Sequence, residues 1–159
     1  MVQAYVQLMS GSRLLVVALM LGLSACAVQP VAPPEPLAPV EITQDSPAAS
    51  LLAAARDARS EGDHGAAGRY LERALAVSGS QDATVLYREL ADLRLAEGQP
   101  RAAEGLALRA LREAPDHPAW QADLWELVAV ARARQGDAAG RDAAREQAES
   151  LRARQQASR

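Results

Sequence analysis

The chain has 159 residues and a formal charge of −3, and every one of its 17 basic side chains is arginine. That length holds one modest domain and a tail, not two large domains. With two tryptophans, three tyrosines and no phenylalanine on a net acidic chain, there is neither a basic stripe nor a set of stacking platforms, so no nucleic-acid partner is expected.

The first element is the apolar run Leu14 to Leu23, "LLVVALMLGL", preceded by Arg13. It falls short of the ~20 residues a membrane-crossing helix needs and suits the apolar region of a secretory signal, which makes residues 1–25 a cleaved leader. No basic residue stands before Arg13, so Met9 is an alternative start to Met1. Immediately after the run, Leu23-Ser24-Ala25-Cys26 resembles the lipobox of bacterial lipoproteins. The resemblance implies cleavage before Cys26 and acyl chains on the new N-terminus, and two or more such chains hold a protein at a bilayer durably. The plainer alternative is an ordinary secretory signal with a free or buried cysteine nearby, although no second cysteine exists for a disulfide. Ala27, rather than aspartate, follows the cysteine, a pattern similar to that of lipoproteins sorted to the outer membrane. The expected location is thus the periplasmic face of the outer membrane, with no cofactor beyond the covalent lipid on Cys26.

Residues 26–47 form a spacer. Between Pro30 and Pro47 six of eighteen residues are proline, and the only charges are Glu35, Glu41 and Asp45. Such a tract cannot donate a continuous backbone ladder, so it reads as an extended, disordered, semi-rigid linker reaching on the order of 60 Å at about 3.1 Å per residue. It is either an inert tether or a segment that itself touches a partner.

After Pro47 the apolar residues fall at helical spacing, and nothing alternates with period two over a strand's length, which predicts an all-α domain. "EGDHGAAGRYLERALAVSG" and "EGQPRAAEGLALRALREAP" align with Gly62 on Gly98, Ala67 on Ala103 and Ala74-Leu75 on Ala110-Leu111, each offset by 36 residues. The period and residue pattern resemble the tetratricopeptide repeat, a helix–turn–helix unit. Leu51, Ala54, Ala55, Ala58, Ala67 and Leu71 carry the pattern in the first unit, with Gly79 where proline is usual. Tyr87, Leu90, Ala91, Arg94, Ala103, Ala107 and Pro115 carry it in the second. Small side chains at Ala55, Ala67, Ala91 and Ala103 allow paired helices to approach closely. Trp125, Val128, Ala129 and Gly136 repeat the spacing once more, but Arg141 stands where the close-packed alanine belongs. Ala144, Ala148 and Leu151 restore an apolar stripe if the last turn is about three residues longer, giving a divergent capping helix.

The expected fold is therefore a short tetratricopeptide-like α-solenoid of about three units and six helices over residues 48–154, with residues 155–159 as a tail. Asp63 and Asp137 are placed to cap helices, Pro100 and Pro118 to begin them. Leu90, Leu108, Leu111, Trp125, Leu127 and Leu151 are expected to dominate the alanine-rich core.

No catalytic motif appears. His64 and His117 fall in predicted inter-helix turns, exposed and without partner ligands, so no metal site is expected. Cys26 is consumed by lipid, and neither a glycine-rich phosphate loop nor a serine elbow is present. The chain reads as a non-enzyme. In tetratricopeptide arrays the first helix of each pair lines a concave groove, and the matching residues here are Arg56, Arg59, Arg88, Asp92, Leu95, Asp123, Glu126 and Arg134. They form a mixed-charge groove for a periplasmic protein or peptide, or else a set of solubilising charges. Lipid anchor, spacer and small repeat domain together resemble the pseudomonad-type lipoprotein activators of penicillin-binding proteins. That resemblance implies a cell-wall synthase as partner; the alternative is a scaffold or assembly factor for a pilus or secretion complex.

Overall fold

Gly62, Gly98 and Gly136 set the architecture. They are the described residues with positive φ, at 81°, 71° and 80°. In each turn the N–H two steps into the bend reaches back to close the preceding helix: Asp63 to the Ala58 carbonyl, Gln99 to Arg94, Asp137 to Arg132. This closure places one residue in the left-handed region, where glycine has no Cβ to clash.

The computed structural model describes residues 40–158. The leader, Cys26 and the spacer before residue 40 lie outside them. Six helices follow: α1 Pro47–Ser60, α2 His64–Val77, α3 Ser80–Ala96, α4 Pro100–Glu113, α5 Pro118–Arg134 and α6 Ala138–Ala157. They pair as α1–α2, α3–α4 and α5–α6 across the glycine turns, and no strand occurs among the described residues. None of the helices is long and apolar enough to cross a membrane.

Capping follows the sequence closely. Asp63 accepts from the Ala66 N–H and Asp137 from the Gly140 N–H, both at 2.8 Å. Pro47, Pro100 and Pro118 each open a helix at a position whose N–H has no helical partner. His117 departs from the expected bare turn residue. It is half-buried, and its Nδ1 accepts from the Trp120 N–H at 3.2 Å, capping α5. His64 likewise belongs to a helix, as the first residue of α2, and is half-buried.

The four expected close-approach alanines, Ala55, Ala67, Ala91 and Ala103, are all buried. A larger side chain there would force the paired helices apart. The heavier core residues differ in part from expectation. Leu90, Leu127 and Leu151 are buried, but Leu108, Leu111 and Trp125 are half-buried and pack along the edge of the second cluster. Leu52, Leu86, Leu93, Leu124 and Val128 are the largest fully buried apolar side chains. Leu86 and Leu93, seven residues apart on α3, join the cluster formed by Ala67, Leu71 and Ala74 of α2, so they lie in the seam between the first and second units.

The last unit corrects one expectation outright. Its turn has the ordinary length, with α6 starting directly after the Asp137 cap as α2 starts after Asp63. At the start of α6, Gly140 leaves room for neighbouring side chains, since a Cβ there would lie 2.9 Å from the Arg132 Cδ and closer still to the Asp137 carboxylate. Arg141 is turned aside to Asp142. The apolar stripe then resumes at Ala144, Ala148 and Leu151, leaving a polar outer face suited to the end of a stack. Helix α6 also continues to Ala157, through residues expected as tail.

Candidate functional site

The residues singled out from the sequence lie on α1, α3 and α5, the first helices of the three units, and the structure sorts them into distinct groups. Arg56 and Arg59 both turn to Glu89 of α3. Arg56 donates through Nε at 2.9 Å and through Nη2 to one carboxylate oxygen, and Arg59 donates through Nη1 at 3.0 Å to the other. Glu89 is only 5% exposed, so these contacts clamp α1 to α3 around a carboxylate that could not be buried alone. Asp123 and Glu126 face Arg152 of α6, at 3.7 and 2.9 Å. Arg134 donates to the Leu95 carbonyl, tying α5 to α3, while the Leu95 side chain is buried and presents nothing to the surface.

Arg88 stands apart. Its guanidinium lies over the Trp120 ring, 5.5 Å from the centroid, and 3.7 Å from Asp92 one turn along α3. It makes no hydrogen bond among the described residues. Burial, reinforced by the neighbouring Glu89 charge, pushes the Asp92 carboxyl above its ordinary range although Arg88 and Arg59 pull it down.

Residues 40–46, read from composition as the end of the spacer, are part of this site. Val40 and Ile42 pack against the first core cluster. Thr43 donates its N–H at 2.9 Å and its hydroxyl at 3.1 Å to one oxygen of Asp82, which is 4% exposed. The position filled by Arg88 in the second unit and Glu126 in the third is Leu52 in the first, buried in the cluster against which this strap packs. Between strap and helices lies a cavity of about 370 Å³, bounded by Glu41 and Ile42 on one side and Val85, Arg88, Glu89 and Trp120 on the other. Ile42, Val85 and Trp120 were not among the sequence candidates. The 38-residue step between the second and third units sets Trp120 at the repeat position of Asp82, which is a signal for Trp120; Ile42 and Val85 carry no such signal.

Burial alone would raise the Asp82 carboxyl, but hydrogen bonds from Ser46 and from Thr43 outweigh it and hold it below its usual range. A carboxyl depressed in the folded state adds stability that is present above its unfolded value of about 4 and disappears as pH falls through the lower folded value. Asp82→Ala should therefore cost about 1–2 kcal/mol at pH 7 in urea unfolding, by loss of hydrogen bonds to a charged acceptor. The gap to the parent should narrow as pH falls below about 4; a gap that does not change with pH would remove the carboxylate from the account.

No group of three or more potential metal ligands occurs among the described residues. Residues 58–124 match the family model for the tetratricopeptide repeat. No curated protein matches the sequence. Among solved structures, the globular C-terminal domain of P. aeruginosa LpoP is similar at 39% identity, with a TM-score of 0.62 over 67% of this chain and 99% of that one. Identity at that level across essentially the whole of the solved domain assigns more than a shared helical architecture: the chain belongs to the LpoP family of tetratricopeptide-repeat proteins.

Proposed function

We propose that this protein is a lipid-anchored envelope protein that binds and activates a penicillin-binding protein through the face shared by α1, α3 and α5, without catalysis of its own. The similarity to the LpoP domain over 99% of that domain's length carries the reading. The lipobox-like Leu23-Ser24-Ala25-Cys26 and the proline-rich tract support an outer-membrane anchor at Cys26 and a spacer long enough to reach a synthase in the opposite membrane.

The proposed recognition surface is graded. Toward the first unit it is closed by the strap, and toward the third it opens onto Asp92, Asp123, Glu126 and Arg134. Charges held in pairs at a rim steer encounter and fix register more than they add affinity. The test is photo-crosslinking in living cells from Glu126 and, as the control, from Tyr70, which is exposed on α2. Glu126 should trap a bifunctional penicillin-binding protein and Tyr70 should not. Trapping a pilus or secretion component instead, or equal yields from both sites, would overturn the proposal.

A further inference from the structure

Within the face proposed to bind the synthase, and resting on that proposal, the strap of residues 40–46 marks out a narrower place. We propose that residues 40–44 are one wall of the docking site, and that the cavity they form with α3 and the start of α5 accepts an extended partner segment. That segment places a large apolar side chain between Ile42, Val85 and Trp120 and a carboxylate on Arg88.

Three observations carry this. First, the strap is built in. It is fixed by two hydrogen bonds to a buried carboxylate and by Val40 and Ile42 packed on the core, and Leu52 has the apolar character that a covered position requires. Second, the cavity sets apolar walls from Val40, Ile42, Val85 and Trp120 beside the charged side chains of Glu41, Arg56, Arg88 and Glu89, a mixed lining that can take one anchoring apolar side chain together with a charged one. Third, donors at its edge are unspent. Arg88 has its ring contact and a distant Asp92, and Arg56 uses Nε and Nη2 on Glu89, leaving Nη1 without a partner among the described residues. A guanidinium held over an aromatic ring keeps its N–H groups free to take a carboxylate. Glu41 on the strap side offers an acceptor for the occupant's backbone N–H groups.

The experiment is selection of linear peptides from a displayed library on the complete mature chain. Selected sequences should pair an acidic residue with a large apolar one. The best peptide, once synthesised, should perturb tryptophan fluorescence on binding. Arg88→Glu should weaken it about tenfold, and a peptide with its acid changed to arginine should recover binding to that variant. Ile42→Ser, on the strap, should weaken it similarly, while Val130→Ser, on α5 outside the cavity, should not. Selection without the acidic–apolar pairing, or a peptide indifferent to both Arg88→Glu and Ile42→Ser, overturns the composite site. If the peptide binds as described yet fails to compete with the penicillin-binding protein, the cavity stands and the synthase reading falls at this surface.

Discussion

Leu86→Ala should lower the unfolding free energy by about 2–5 kcal/mol, a large part of the 5–15 kcal/mol typical of a whole domain. Leu86 is completely buried, and it packs on α3 against the small residues of α2. Truncation leaves a void that alanine neighbours cannot collapse into, because they have no side chain with which to fill it. The loss falls on a boundary. Units in a stack are held by their nearest neighbours, so a weakened seam should let α1 and α2 release before the remaining helices. Urea unfolding followed by helical circular dichroism should then show a lower midpoint and a shallower slope than the parent. The same repeat position in the first unit is exposed Ser50, and Ser50→Ala should stay within about 0.5 kcal/mol. A Leu86→Ala curve that overlays the parent would mean that α2 and α3 are held by something other than this seam.

The contrast between Leu86 and Ser50 also shows where the sequence was informative. Fold, unit count and the position of each turn were legible, though not the length of the last one, because glycine and alanine recur for reasons of backbone geometry and close approach, which do not depend on what lies beyond the unit. Core weight was less legible. Ranking side chains by size favoured Leu108, Leu111 and Trp125, yet depth depends on whether another unit covers the position. The clue lay in comparing units: Ser50 and Asp57 are polar where the second unit has Leu86 and Leu93, so the first unit presents that side to solvent.

The site was legible in part for the same reason. Repeat alignment placed Arg56, Arg88, Asp92, Asp123 and Glu126 on first helices, but composition alone could not separate charges that tie units together from charges with capacity left over. Glu89 decides this for Arg56 and Arg59, and it was missed because a carboxylate amid polar residues looks like a solvated one. Val40 and Ile42 were hidden by the prolines around them. Two apolar residues spaced to share a face of an extended chain are weak evidence until the buried partner, Asp82, fixes that chain in place.

Thr84→Val should cost about 2–3 kcal/mol although the two side chains have nearly the same shape. Thr84 is fully buried, at a position that is alanine in the other units, Ala48 and Ala122. Its hydroxyl donates to the Ala110 carbonyl at 3.0 Å and accepts from the Trp120 Nε1–H at 3.0 Å. Ala110 lies in the last turn of α4, where carbonyls lack helical partners, and the Ala114 N–H that would normally reach it goes to Leu111 instead. One hydroxyl therefore satisfies a helix end and holds the indole that underlies Arg88. Valine strands both groups, each costing about 1–3 kcal/mol when buried, with the indole's share reduced because Trp120 is half-buried and can turn toward water. Thr84→Ser keeps the hydroxyl and loses one methyl, so it should recover most of the loss. Thermal unfolding of the pair, read alongside Trp120 emission, separates the effects: valine should lower the melting temperature and shift emission to the red, serine should do little of either. Equal destabilisation by serine and valine would show that the methyl, and not the hydrogen-bonded bridge between α3, α4 and α5, is what the position requires.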